Sequence, residues 1–440
     1  MAIDTPKRTY LDLVDVPASG AWTPQTHGLP LLAQWENQSQ YSELRFQPFA
    51  PGDVLTPEQI MKLLPQAAPA SHSISITDAP YRAQVAPADA TAAIQAALDA
   101  AAQLASADNP VDVLVPPGTF QYSKALRVGA DVRLRREPPA DGGVLRATDV
   151  LQSAVHLIGD RSGALFLVLQ SNATARDVGP PGATGVWVGS DTTAGAVTHD
   201  ALVIGVEVAQ PAGAHFFGLA TEGSLWAFNY AHDGWADTFH HTGGSRFCQV
   251  VGNRARTRAD RGDDFYAFVG YQDDGDVVHH CSCIANWGRD GHARGLSAVG
   301  AGFIVFARND IEATQWAGVY LAQEDSFDSY GSFDIHVLGN RISRANLAGS
   351  HDGLLAYADS PAQSHASKSF GMLSNRVRRL TITGNTISDT APGIGNGHGV
   401  EIRPSVDEGQ LTGNTLRSNR APQLLVQGTN FSERDNTSIP

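Results

Sequence analysis

The sequence predicts an all-β chain built as a stack of repeated coils, and three observations carry that prediction. Beyond about residue 110, short apolar runs alternate with Gly, Asn and Asp turns, and helix signals almost vanish. An apolar residue, a spacer that is usually Gly or Ala, and then Asn recurs: AFN ending at Asn229, VVGN at Asn253, CIAN at Asn286, FARN at Asn309, VLGN at Asn340, ITGN at Asn385, LTGN at Asn414 and a degraded ERDN at Asn436. The intervals are 24, 33, 23, 31, 45, 29 and 22 residues. Three fall within 22 to 24, and the others read as that unit plus an inserted loop, or as two units at 45. A fixed period of this size marks a solenoid, in which each coil buries its apolar face against the next.

The elements follow in chain order. Residues 1–84 are rich in Pro, Gln and small polar residues and read as a small, irregular N-terminal extension. They carry one helix signal at Thr56-Pro57-Glu58-Gln59, where Thr caps, Pro takes the first turn and Gln answers back. Residues 85–440 read as the main body. A clearer helix spans Asp89 to Ala105, with Asp89 as its cap and Ile94, Leu98 and Ala101 on one face. Val111 to Val115 then gives a strand, Pro116-Pro117-Gly118 a turn, and Ala125 to Val128 another strand. In the repeats, Asn suits a tight bend because it tolerates left-handed backbone and its amide bonds neighbouring backbone groups. Stacked coils should align these residues into a ladder of mutually bonded amides.

Composition excludes several roles. The chain has 440 residues, with 31 Lys plus Arg against 45 Asp plus Glu, a net charge of −14. With no basic block, binding to nucleic acid phosphates or anionic lipid is disfavoured. Cys248, Cys281 and Cys283 are too few for a disulfide framework or a four-ligand zinc site and read as buried thiols. The most apolar runs, Ala201 to Ala209 and Ala301 to Ala307, are far shorter than the roughly 20 residues of a membrane-spanning helix. The start has no apolar secretory core, so the chain as written reads as cytoplasmic, or as secreted if an export segment has been removed. The glycines, 44 of 440 residues, are one in ten against a usual share of about 7%.

The Asp89 to Ala105 helix, the following Val113-Leu114-Val115-Pro116-Pro117-Gly118-Thr119-Phe120 and the Asn repeats together resemble the pectate-lyase-like, right-handed parallel β-helix superfamily over residues 85 to 437. The resemblance implies a right-handed parallel β-helix whose open end is covered by an N-terminal capping helix. Covering that end is a physical need, because a bare terminal coil exposes unpaired backbone groups.

Such folds present ligands with one strand per coil at about 4.8 Å spacing, which suits a polymer. The segments after the Asn turns place His240 or His241, Tyr266, Ser297, Tyr320, Tyr357, Glu401 and Arg403 on the outward side. Asp233, Asp237, His240 and His241 on one coil meet Asp263 and Asp264 on the next, and a third coil adds His292 and Arg294. Neighbouring coils separate outward groups by about 5 to 10 Å, the range that pairs carboxylates in glycosidases. Each Asp taken singly also reads as an ordinary turn former. The order Asp237, Gly262-Asp263-Asp264, Gly291-His292 and Gly295-Leu296-Ser297 resembles polygalacturonase-type glycoside hydrolases. That resemblance implies Asp263 or Asp237 as general acid or base, Asp264 as partner on the attacking water, and His292 as helper. Where that family carries Arg-x-Lys for a substrate carboxylate, this chain has Tyr320 and Ala322.

The expected function is therefore cleavage of a glycosidic linkage in a polysaccharide or oligosaccharide, with Tyr266, Arg294, Trp316, Tyr320, Glu401 and Arg403 as substrate contacts. Two alternatives stand beside it. One is a uronate lyase or C5-epimerase, resembling alginate lyases and mannuronan epimerases. There His240 or His241 takes a proton, Tyr266 or Tyr320 returns one, and Arg294 or Arg403 neutralises the carboxylate. The other is a non-catalytic, tailspike-like glycan-binding module. The assembly is expected to be a monomer or a homo-oligomer such as a trimer. No cofactor or metal is expected. Asp273-Asp274-Gly275-Asp276 offers oxygens to calcium, but its spacing matches no standard calcium loop, and it reads as a solvated loop.

Overall fold

The structure is a computed structural model describing residues 56–64, 69–137, 143–177, 183–191, 196–393 and 396–440. The first 55 residues of the predicted N-terminal extension lie outside the described residues. The body is a right-handed parallel β-helix. Its coils contribute strands to three long sheets of thirteen, eleven and twelve strands, in which neighbours pair in parallel. The thirteen-stranded sheet starts at His72–Ser75, paired with Val111–Val115, so the stack begins upstream of residue 85. An antiparallel hairpin, Ser364–Ser367 with Gly371–Ser374, stands outside these sheets. Among the described residues no helix is long and apolar enough to cross a membrane.

Helix α1, Pro57–Leu63, begins with the expected reciprocal cap between Thr56 and Gln59. Helix α2, Thr91–Leu104, buries Ile94, Ala97, Leu98 and Ala101 against the first coils. Asp89 caps it from one position further out than expected. Its carboxylate accepts the Thr91 N–H at 2.9 Å and the Ser123 hydroxyl at 2.6 Å. The three cysteines are free and buried.

All eight predicted asparagines form one continuous ladder. Each Nδ2 donates to the Oδ1 of the next, from Asn229 through Asn253, Asn286, Asn309, Asn340, Asn385 and Asn414 to Asn436, at 2.9 to 3.0 Å. The left-handed residue is the spacer before each Asn: Phe228, Gly252, Ala285, Arg308, Gly339, Gly384, Gly413 and Asp435 all have φ between 55° and 66°. The bend therefore asks for Gly one place earlier than expected, and Asn supplies the bonds. A Cβ added at Gly339, Gly384 or Gly413 would meet nothing within 4 Å, so backbone conformation alone explains those glycines.

Inside the coils, aromatic rings stack along the axis. Phe216 lies 4.7 Å from Phe239, which lies 5.1 Å from Tyr266. Dispersion between closely packed rings adds to the apolar burial that drives stacking of the coils.

Candidate active site

The eleven-stranded sheet presents one row of side chains outward. Its register sets Trp187, Phe217, His240, Ala267, Ser297, Tyr320, Leu355 and Glu401 side by side on successive coils. The alternating positions point inward, and two expected site residues belong to them. Tyr266 is fully buried and donates its hydroxyl to the carbonyls of Asn253 and Trp287, at 3.1 and 2.9 Å. His241 is fully buried between the rings of Trp226, at 3.9 Å, and Phe268, at 5.4 Å. Strict alternation along Phe239–Thr242 and Tyr266–Val269 gives the reason, since Phe239 and His241 share the inward side with Tyr266 and Phe268. Neither Tyr266 nor His241 can reach a ligand on the outer face.

Two residues ahead of several of its strands, the chain turns and places a charged residue at the rim. Asp237, Asp264 and Arg294 occupy this position on three successive coils, and Asp352 does so on a later one. The carboxylates hold the coils together there. Asp237 Oδ1 accepts the Asp264 N–H at 3.1 Å, Asp264 Oδ1 accepts the Arg294 N–H at 3.0 Å, and Asp352 Oδ1 accepts the N–H groups of Gly397 and His398 at 2.8 Å. The turn-forming use of Asp thus takes one oxygen of each carboxylate for the backbone and leaves the other.

Asp237, Asp263 and Asp264 come together, with ligand atoms all within 4.8 Å of one another. Their environments differ. Asp264 is buried and faces the Arg294 guanidinium at 3.5 Å. Asp237 would be raised by burial, but the His240 charge and hydrogen bond, at 2.9 Å, hold its carboxyl below the usual range. His240 answers in kind. Burial opposes its charge, yet Asp237 keeps its affinity for a proton above the ordinary value. Asp263 is pushed up to about 7 by burial and by the neighbouring charges of Asp237 and Asp264. Its partner Arg176, at 2.7 Å, only partly offsets them. One carboxyl is therefore a proton donor near neutrality beside another that stays ionised, the division that acid/base catalysis requires.

The same trio is the group among the described residues that could hold a cation. Calcium takes six to eight oxygen ligands, so beyond one oxygen from each of these carboxylates it would need further oxygens, such as second carboxylate oxygens or water. In the acidic stretch, Asp274 accepts from the Thr242 hydroxyl and the Gly243 N–H, and Asp276 accepts from the Ser367 and Ser369 hydroxyls.

Further along the face, Arg294 reaches Glu324 at 2.9 Å and lies 4.0 Å over the Tyr320 ring and 5.1 Å over Trp316. Tyr320 donates to Glu324 at 2.7 Å, and its oxygen lies 2.5 Å from that of Tyr357. Trp316 stacks on His351 at 5.4 Å. Glu401 and Arg403 pair with each other at 3.4 Å. Glu401 stands five coil steps beyond His240 in the row, roughly 24 Å at the usual strand spacing. His292 hydrogen-bonds the Ala259 carbonyl at 2.8 Å through Nδ1 and is held by that loop.

Sequence reasoning did not select Arg176, Glu324, Tyr271, His351 or Phe217 for the site. Arg176 meets Asp263 across 87 residues, and no repeat marks it. The hydroxyl of Tyr271 is pushed up by burial and then by the negative charges of Asp237, Asp274, Asp263 and Asp264. Phe217 was readable from alternation, since it precedes His240 in the outward row and stacks on it at 5.1 Å.

No family model matches the sequence, and no curated protein does. Solved structures match well in shape. The A-module of a mannuronan C-5 epimerase from Azotobacter vinelandii superposes with a TM-score of 0.54 at 17% identity, over 83% of this chain and 99% of that one. An exopolygalacturonase from Thermotoga maritima gives 0.54 at 9% identity, over 84% and 92%. A surface adhesin of Streptococcus pneumoniae gives 0.51 at 12% identity, over 83% and 97%. The shared shape thus includes two enzymes and an adhesin, and function has to be argued from the site. What these likenesses and the sheet topology establish together is the fold, a right-handed parallel β-helix.

Proposed function

We propose that the protein is a carbohydrate-active enzyme that hydrolyses a glycosidic bond in a polysaccharide or oligosaccharide lying along the eleven-stranded face. One observation carries this reading: Asp237, Asp263 and Asp264 converge within 4.8 Å on that face, one held protonated near neutrality and one held ionised. Asp263 donates its proton to the glycosidic oxygen as the bond to the anomeric carbon breaks. Asp237 takes the proton of a water whose oxygen bonds that carbon, or attacks the carbon itself. Such close carboxylates are nearer the short separation of retaining glycosidases, about 5 to 5.5 Å, than the longer one of inverting enzymes.

The lyase or epimerase alternative draws less support. Its proton acceptor, His240, is held in the charged form by Asp237, and of its two tyrosines Tyr266 is in the core while Tyr320 is bonded to Glu324 and Tyr357.

The test is a panel of glycans assayed for new reducing ends, for absorbance of unsaturated uronates and for the anomer first released. Asp237→Asn, Asp263→Asn and Asp264→Asn should each remove turnover, by about 100-fold or more for a lost acid or base. Full activity in all three variants, or unsaturated products, would overturn the proposal.

A further inference from the structure

Resting on the reading above, the charges along the face narrow the substrate class. A uronate polymer brings one carboxylate per sugar, and a buried carboxylate is bound only where a cation or several donors meet it. Among the described residues, the three cations that face the trio's carboxylates are already engaged. Arg176 faces Asp263 at 2.7 Å, His240 faces Asp237 at 2.9 Å, and Arg294 is shared between Asp264 at 3.5 Å and Glu324 at 2.9 Å. Further along, Arg403 faces Glu401 at 3.4 Å. Arg261, two residues before Asp263, lies 4.7 Å over the Trp235 ring, and the cation acting on the Asp263 carboxyl is Arg176. Four carboxyl groups, Asp237, Asp263, Asp264 and Glu324, stand against three cations.

With Asp263 protonated, as the reaction requires, Asp237, Asp264 and Glu324 balance Arg176, His240 and Arg294, and the group as a whole is neutral. Adding a sugar carboxylate would give the cleft an uncompensated negative charge in a chain that already carries −14. What the face does offer is half-buried ring surface: Phe217 before the trio, Trp316 and Tyr357 after it. Flat apolar rings and hydroxyl groups suit the C–H faces and hydroxyls of uncharged sugars. We infer that the cleft binds a glycan of uncharged sugar units across the Asp237–Asp263–Asp264 trio and rejects the uronate polymer.

The test is equilibrium binding of oligosaccharides to the Asp263→Asn variant, which cannot turn them over. Neutral hexose oligomers of varied linkage are compared with polygalacturonate, alginate and cationic glucosamine oligomers. Binding of at least one neutral oligomer, with every uronate at least tenfold weaker, supports the inference. Equal or tighter uronate binding overturns it, as does binding confined to the cationic oligomers or no neutral binder at all. A second arm uses Glu324→Gln, which releases Arg294 from one of its two carboxylates. Uronate affinity should then rise by about tenfold while neutral affinity moves far less, and an unchanged uronate affinity counts against the charge argument. The outcome separates from that of the hydrolysis proposal. Cleavage of a uronate polymer would uphold hydrolysis and sink this inference, whereas tight neutral binding to the unaltered protein without products would do the reverse.

Discussion

The Nδ1 of His240 lies 2.9 Å from Oδ2 of Asp237, and the other Asp237 oxygen accepts the N–H of Asp264 on the next coil. Burial alone would neutralise both side chains, and each keeps the other charged. The pair therefore fixes the ionised carboxylate of the site and ties it to the backbone that carries its neighbour.

Replacing His240 by Gln removes the charge that holds the Asp237 carboxyl down. Its proton affinity then rises, so the acidic limb of the pH profile of kcat/KM should move to higher pH. At neutral pH the loss of activity should be smaller than in Asp237→Asn, because the carboxylate itself remains. A pH–rate profile checks this, and an acidic limb that stays in place or moves down would show that His240 does not hold Asp237 ionised.

The asparagine ladder should be a stability element with unequal rungs. Asn309 accepts from the backbone and side chain of Asn286 and donates to the Cys283 carbonyl and to Asn340, all at 2.9 to 3.0 Å and all buried. Asn309→Ala leaves buried donors and acceptors unpaired and should cost roughly 2–4 kcal/mol. Asn436 is the last rung and only partly buried, so Asn436→Ala should cost under about 1 kcal/mol. Denaturant melts of the two variants decide, and equal losses would mean that the ladder merely accompanies the stacking.

These contrasts show what was legible in the sequence. The Asn positions were readable because one physical demand, a bonded bend in each coil, recurs with constant flanks. Asp237 and Asp264 followed, because each sits in the turn two residues ahead of its strand, and Asp263 came with them as the residue before Asp264. The facing of Tyr266 was misread because a phenol hydroxyl suggested the outside. The core satisfies it with two backbone carbonyls that no local pattern announces. Arg176 was beyond reach for a different reason, since its contact with Asp263 depends on where a loop of an earlier coil folds over the face.

Asp263 should make the protein less stable as the pH rises from mildly acidic toward neutral. Its carboxyl is pushed from 3.8 up to about 7 in the folded chain, by burial first and by Asp237 and Asp264 next. Between those values the folded protein binds more protons than the unfolded one, so the derivative of unfolding free energy with pH is negative. This contribution falls from about pH 4 to about pH 7 and is level on either side. His240 acts in the same sense over a later window, because its raised affinity stabilises fully below its unfolded value of 6.5 and is lost as pH climbs through the folded one. Asp237 acts oppositely, its depressed carboxyl adding stability above 3.8 that disappears on acidification. Asp263→Asn removes the first contribution and, with it, the part of the raised His240 affinity that comes from the Asp263 charge. The variant should be inactive yet more stable than the parent at pH 7, by up to about 4 kcal/mol, with the difference shrinking toward pH 4. The lost bond to Arg176 is half exposed and takes back less than about 1 kcal/mol. Melting curves of both proteins across pH 4 to 8 measure the difference, and a variant no more stable at pH 7 than at pH 4, relative to the parent, would mean that Asp263 is not held protonated by its neighbours.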